Sequence, residues 1–172
     1  MSGAHRAPTA AAPGRQSATI AGPDDTQVGQ ERLRGFREAV AVAGIDTFYV
    51  HFGDFTEESG EAAMKRLLQA EPDIDAVFAA SDNMAAGALR EHGRAVPGDV
   101  AVAGFNDHLI ARHTTPPLTT VHQPIQQLGR EMGRMLLDLI DGQRPSPLIL
   151  PTRLVVRESA PYPDQYPDPA TG

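Results

Sequence analysis

The sequence contains no cysteine and no tryptophan, and Lys65 is its only lysine. The first absence excludes a disulfide framework, a thiolate metal site and a cysteine nucleophile. No stretch approaches the roughly 18 consecutive apolar residues that a membrane span needs. Residues 1–13 lack the apolar centre of a signal peptide, so a cytoplasmic location and no membrane partner are expected. Positive charge is also scarce, with 15 basic against 22 acidic side chains and a net charge of −7. Nucleic-acid binding begins with phosphate neutralisation, so these residues are poor candidates for direct DNA contact. What remains is a chain of 172 residues, enough to bury a genuine core in one domain or at most two small ones.

Two patterns alternate along that chain. Short β-branched or aromatic runs occur at Ala18-Thr19-Ile20, Thr47-Phe48-Tyr49-Val50, Ala76-Val77-Phe78-Ala79 and Val100-Ala101-Val102-Ala103. Each is nearly all apolar and bounded by Gly, Asp or Asn, as a strand buried on both faces should be. Helical patterns fill the gaps. Leu33, Phe36, Val40 and Ala43 share one face, and Gly44 supplies a stop. Thr56 is placed to cap a helix with Glu57 and Glu58 in its first turn. Met64, Leu67 and Leu68 then face inward, and Glu71-Pro72 ends the segment. A third helix is predicted from Asp82 or Asn83 to Gly93. This repetition predicts an α/β fold, a parallel sheet with flanking helices.

The flanks differ. Residues 1–16 are rich in Ala, Pro and Gly and read as a disordered leader, and residues 161–172, with four prolines, as a disordered tail. Thr115-Pro116-Pro117 breaks the alternation and suggests a boundary after residues 17–117. Leu118 to His122 then reads as a short strand. Ile125, Leu128, Met132, Met135, Leu136 and Leu139 form the stripe of a helix ending at Gly142. Leu148 to Leu150 and Leu154 to Val156 suggest two last strands.

In an open parallel sheet, ligands bind outside the carboxyl ends of the strands. Those ends read Gly22-Pro23-Asp24-Asp25, Gly53-Asp54-Phe55, Ser81-Asp82-Asn83 and Asn106-Asp107. Carboxylates and carboxamides there accept hydrogen bonds, and Phe55 offers an apolar face for a sugar or base ring. Taken singly, Asp82 and Thr56 serve equally as helix caps, and Asp54 as a turn former. Arg32, in the first turns after the first strand, suits the clamping of a hydroxyl pair or carboxylate, or equally an exposed helix surface.

Catalytic and metal arrangements are missing. There is no Gly-x-Ser-x-Gly elbow and no glycine-rich phosphate loop. His108 and His113 are five apart, off the spacing that puts two ligands on one helix face, and His51 reads as a packed core residue. The seven carboxylates from Asp54 to Asp75 suit a solvated helix face. Donors and acceptors without a nucleophile point to binding without turnover, with no cofactor and no metal expected.

Five motifs in order carry a family resemblance: Ala18-Thr19-Ile20-Ala21-Gly22-Pro23, Glu31-Arg32-Leu33-Arg34-Gly35-Phe36, Ala80-Ser81-Asp82-Asn83-Met84-Ala85, Val102-Ala103-Gly104-Phe105-Asn106-Asp107 and Pro117-Leu118-Thr119-Thr120-Val121. Together they resemble the effector-binding region of LacI/GalR-type transcription regulators from about Ala18 to Ala160, with Arg157-Glu158-Ser159 similar to the family's close. The resemblance implies a type I periplasmic-binding-protein-like fold, in which two lobes close on a sugar or related effector. It implies a homodimer, with DNA contact made only by a helix-turn-helix domain that these residues do not include. Carried over by position, Arg32, Phe55, Ser81, Asn106 and Gln123 or Ile125 would line the ligand pocket, with Asp82 alongside. The helix from Met84 to Leu89 and the segment from His108 to His113 would lie near the dimer interface.

The resemblance also implies that most of the first lobe is missing. Residues 118–150 would be a strand and helix normally belonging to that lobe, and residues 151–160 the final strand. The stretch between Met84 and Gly93 is about one helical turn shorter than usual. Asn106 stands where many relatives carry aspartate; an amide donates as well as accepts, so the preferred hydroxyl pattern differs. The alternative reading, a solute-binding protein of a sugar transporter, shares the fold and would need a secretion signal. A small flavodoxin-like enzyme would need phosphate donors where Gly22-Pro23-Asp24-Asp25 is acidic.

Overall fold

All but one of the strand-forming runs of the sequence enter one sheet, and its order decides where a ligand can sit. A computed structural model describes residues 16–45, 47–90 and 93–161. The strands are β1 (Gln16–Ala21), β2 (Phe48–Phe52), β3 (Ile74–Ala79), β4 (Ala101–Asn106), β5 (Thr119–His122) and β6 (Arg153–Val155), in sheet order β2-β1-β3-β4-β5-β6. The first five run parallel, and β6 returns antiparallel to β5, with His122 opposite Arg153. The chain moves outward from β1 to β2, then back past β1 to β3 and onward, so a topological switch point lies between β1 and β3.

Three of the helices begin at a hydroxyl cap, Thr56 as expected, and Thr26 and Ser81, the latter in place of Asp82. The Thr56 side chain accepts from the Ser59 amide at the start of α2 (Glu57–Ala70). Thr26 accepts from the Gly29 amide at the start of α1 (Gln27–Val42), and Ser81 from Met84 at the start of α3 (Asp82–Ala88). The third helix therefore stops at Ala88 and not at Gly93; Gly93 itself takes a left-handed φ of 79° in the loop beyond. A short 3-10 helix, Leu109–Arg112, follows β4, and α4 (Ile125–Ile140) follows β5.

The core lies between the sheet and the α2–α3 layer. Ile20, Met64, Ile74, Val77, Met84, Val102 and Leu118 are all at most 4% exposed there. Helix α2 lies so close to α3 that a Cβ on Gly60 would collide with the Met84 backbone. The opposite face is different. Along β3 and β4, the buried Val77, Ala79, Val102 and Gly104 alternate with the half-buried Phe78, Ala103 and Phe105. Strands buried on both faces were expected, and the α1 side is only partly covered.

Several boundaries shift for physical reasons. Gln16 is the first residue of β1 and no part of a leader, because it pairs with Ile74 across the sheet. The rest of the predicted leader, residues 1–15, and residues 162–172 of the tail lie outside the described residues. The boundary expected after residue 117 does not separate a sheet: β5 pairs with β4 from Ala103 opposite Thr119 to Asn106 opposite His122. Of the two last strands only one forms, because residues 148–150 pair with nothing in the sheet, and Ile149 is 92% exposed. His51 lies half-buried on the edge strand β2 and not in the core.

Candidate functional site

The carboxyl ends of β3, β4 and β5 meet in one polar cluster, and α1 delivers its cation. Arg32 donates through Nη1 to the Ala80 carbonyl at 2.5 Å and through Nη2 toward Gln123 Oε1 at 3.4 Å. Its guanidinium stands 4.2 Å over the Phe105 ring, a cation–π contact that holds the fork in place. Burial pulls Arg32 below its ordinary pKa and the Asp82 carboxylate opposes that pull, and the group stays cationic at any ordinary pH. Asn106 Nδ2 donates to Gln123 Oε1 at 2.7 Å. Turned over, the same amide offers its oxygen to Arg32 Nη2 at 3.2 Å. The Arg32–Asn106–Gln123 trio therefore presents donors and acceptors that can exchange with the hydroxyls of a polar ligand.

The backbone at these strand ends is strained, and the residue types fit the strain. Asn106 and Asp107 take successive φ values of 120° and 56°, a region that Asn and Asp enter most readily among non-glycine residues. This turn throws the Asn106 amide outward while Asp107 folds back. Phe55, at φ 70°, is a less tolerant residue in the same region, a conformation that persists only where its surroundings over-determine it. Asp54 supplies part of that constraint, because Oδ1 accepts from the Thr56 amide at 3.0 Å and from its hydroxyl at 2.5 Å. Gly22 supplies the rest: a Cβ there would collide with the Phe55 ring. The ring is thus laid directly on the end of β1.

The predicted residues sort into three groups. Arg32, Asn106 and Gln123 meet in one hydrogen-bonded cluster. Phe55 follows β2 and Ser81 follows β3, with β1 between them, and Ser81 is 7% exposed with its hydroxyl capping α3 through Met84 at 3.2 Å. Asp82 is not at the opening at all. It is fully buried, with Oδ1 accepting from Thr120 Oγ1 at 2.5 Å and Oδ2 from the His108 amide at 2.7 Å. Nor is it the cap of α3, which is Ser81; both of its carboxylate oxygens are engaged inside the fold with the residues after β4 and on β5. Ile125, the alternative to Gln123, stands half-exposed at the start of α4.

Two participants escaped the sequence reading. Phe105 floors the cluster beneath Arg32; strand alternation, which puts it on the face opposite Gly104, was the available signal. The second is an ion-pair knot behind the cluster. Arg157 Nη2 meets Asp107 Oδ1 at 2.6 Å, and His122 Nδ1 meets Asp107 Oδ2 at 3.0 Å. Burial opposes ionisation of Asp107, but Arg157 and His122 together hold its carboxyl below the usual range. No local pattern joins residues 50 positions apart.

No group of three His, Cys, Asp or Glu side chains among the described residues could hold a metal ion. Likewise, no described helix is long and apolar enough to cross a membrane.

The comparisons with known proteins agree with this geometry. The periplasmic binding protein-like domain family matches residues 11–160. The chain belongs to that family. Within it, the match is to the effector-binding region of LacI/GalR-type regulators, as the five sequence motifs imply. The HTH-type transcriptional regulator CelR of Thermobifida fusca is 53% identical over 152 residues, covering 84% of this chain and 45% of the relative. The solved transcriptional regulator CelR–cellobiose complex superposes with a TM-score of 0.80 at 53% identity, covering 84% of this chain and 46% of that one. The lac repressor dimer bound to operator and the anti-inducer ONPF gives a TM-score of 0.81 at 31% identity, with 86% and 53% covered. As a member of the family the chain thus spans about half the length of the relatives it matches.

Proposed function

We propose that the chain is the ligand-sensing portion of a LacI/GalR-type transcription regulator. It binds a small polyhydroxylated effector, a sugar or related metabolite, and performs no catalysis. Residues 16–122 and 153–160 supply the effector lobe, and residues 123–152 leave it and return. Operator contact belongs to a helix-turn-helix segment outside these residues, and the working assembly is a cytoplasmic homodimer. The carrying observation is the Arg32–Asn106–Gln123 trio at the strand ends, on the ring of Phe105, with the Phe55 ring on Gly22 just past the end of β1. A guanidinium and two carboxamides recognise hydroxyl pairs, and an aromatic face receives a sugar ring. The likeness to a CelR–cellobiose complex supports the sugar class.

Sensing requires that the effector bind one arrangement of the full regulator better than another. Gln123, in the cluster and at the start of the outgoing segment, is placed to report such a difference. The test is a chimera in which residues 16–161 replace the matching span of the Thermobifida fusca CelR, titrated calorimetrically with cellobiose, other sugars and nucleosides. Saturable binding of a sugar, weakened about 10- to 100-fold by Arg32→Ala, is the expected result. A folded chimera that binds none of them overturns the reading.

A further inference from the structure

The two strand ends that carry Asn106 and Gln123 are tied a second time behind the opening. Asn106-Asp107 closes β4 and His122-Gln123 closes β5, with Asn106 opposite His122 in the sheet. Each of these dipeptides gives one side chain to the polar cluster and the other to the ion-pair knot. The Asp107 carboxylate, 4% exposed, spends Oδ1 on Arg157 at 2.6 Å and Oδ2 on His122 at 3.0 Å. Its backbone amide donates toward Thr120 Oγ1 at 3.4 Å. Arg157 is itself anchored: its amide donates to Thr119 Oγ1 at 2.8 Å and its Nη1 to the Leu118 carbonyl. Two residues on, the fully buried Ser159 donates to the Val102 carbonyl and accepts from the Thr119 amide. The returning chain is thereby riveted to the starts of β4 and β5.

We infer that Asp107, anchored through Arg157, is a positioning residue of the effector site: it holds the Asn106 and Gln123 carboxamides in their binding arrangement, so that affinity depends on how the returning chain is seated. The inference rests on the effector-site reading above and adds to it a residue that touches no ligand. Both carboxamides belong to half-buried residues and carry rotamer freedom that binding must remove. The Asn106 backbone adds a second liability, because a φ of 120° persists only where its surroundings over-determine it. The side chains one residue away supply that determination. Asp107 fixes the turn that leaves β4, and His122 fixes the residue before Gln123. A planar guanidinium that holds a carboxylate and a carbonyl at once sets a geometry that a single flexible contact cannot. A tie for stability alone would serve anywhere along β4 and β5, and Ser159 already supplies one at their other ends. Left free, the two carboxamides would be ordered only by the ligand, which together lowers affinity about 10-fold.

The test separates positioning from stability. Asp107→Asn keeps the shape of the side chain and removes its charge, and Arg157→Lys keeps the charge and removes the fork. In the intact 172-residue chain, nuclear magnetic relaxation of the Asn106 and Gln123 side-chain amides should report greater mobility in both variants. In the CelR chimera described above, titrated with cellobiose and the other sugars, each variant should weaken binding about 10-fold. Met64→Ala, in the core under α2, is the control for stability: it should lower the urea midpoint and leave affinity within about 2-fold. Should Asp107→Asn fail to fold, Arg157→Lys decides alone. Side-chain amides that stay as ordered as in the parent overturn the inference, as does a chimera whose affinity is unchanged by the variants. So does a loss of affinity that Met64→Ala reproduces, since the knot then acts through stability only. A parent chimera that folds and binds no sugar overturns the effector reading itself, and the inference with it.

Discussion

At the scale of single residues, two positions carry more of the site than their chemistry suggests. Gly22 has no side chain to offer a ligand, yet its bare Cα is where the Phe55 ring lies. Gly22→Ala should displace the ring, cost about 1–3 kcal/mol through overpacking, and weaken effector binding in the chimera, as denaturant titration and calorimetry would register. Asp82 acts in the interior. Asp82→Ala leaves the Thr120 hydroxyl and the His108 amide without an acceptor, an expected loss of about 2–4 kcal/mol in urea unfolding. Arg32, Asn106 and Gln123 lie at a helix start and two strand ends, which local pattern locates well. Whether Asp82 points outward or inward depends on Thr120, which lies 38 positions away, and no spacing rule reports that.

Among the elements, caps and strand alternation were legible because both are decided within a few residues. Thr56 caps α2 as its sequence context predicts. The end of α3 was not, since helix propensity continues past Ala88 while the structure stops there. Nor was the knot joining the end of β4, β5 and the stretch after β6. In that knot Arg157 also donates to the Leu118 carbonyl at 2.7 Å, tying the returning chain to the start of β5. Because the Asp107 carboxyl is held below its usual range, the knot stabilises the fold fully above the ordinary carboxylate pKa of about 3.9. That contribution is lost as pH falls through the lowered native value. Urea unfolding of the native chain and Asp107→Asn should therefore differ most near neutrality and converge as the solution is acidified. An unchanging gap would assign the carboxylate no role in acid stability.

For the whole molecule, the fold class followed from the alternation of strand and helix, whereas the uneven cover of the sheet did not. Composition counts apolar residues without saying which side of a sheet they will meet. Here the α2–α3 side is closed and the α1 side is open over Phe78 and Phe105. The order β2-β1-β3-β4-β5-β6 puts β3 and β4 in the middle. Their amides, with those of β1, should show the slowest hydrogen exchange, and those of the edge strands β2 and β6 the fastest of the sheet. Protection highest in β6 would contradict this hierarchy.

Residues 123–152 leave the sheet and come back to it through neighbouring strands, with His122 directly opposite Arg153. The whole excursion therefore hangs from a waist two strands wide, and Gln123, which bonds Asn106, is the first residue beyond it. A ligand that pulls on Gln123 pushes on the short arm of a lever whose long arm is α4. With an arm of about 24 Å, a tilt of about 10° at the waist carries the far end of α4 through about 4 Å. On the proposed function, a sub-ångström adjustment among three polar side chains would in this way be converted to a displacement as large as a side chain.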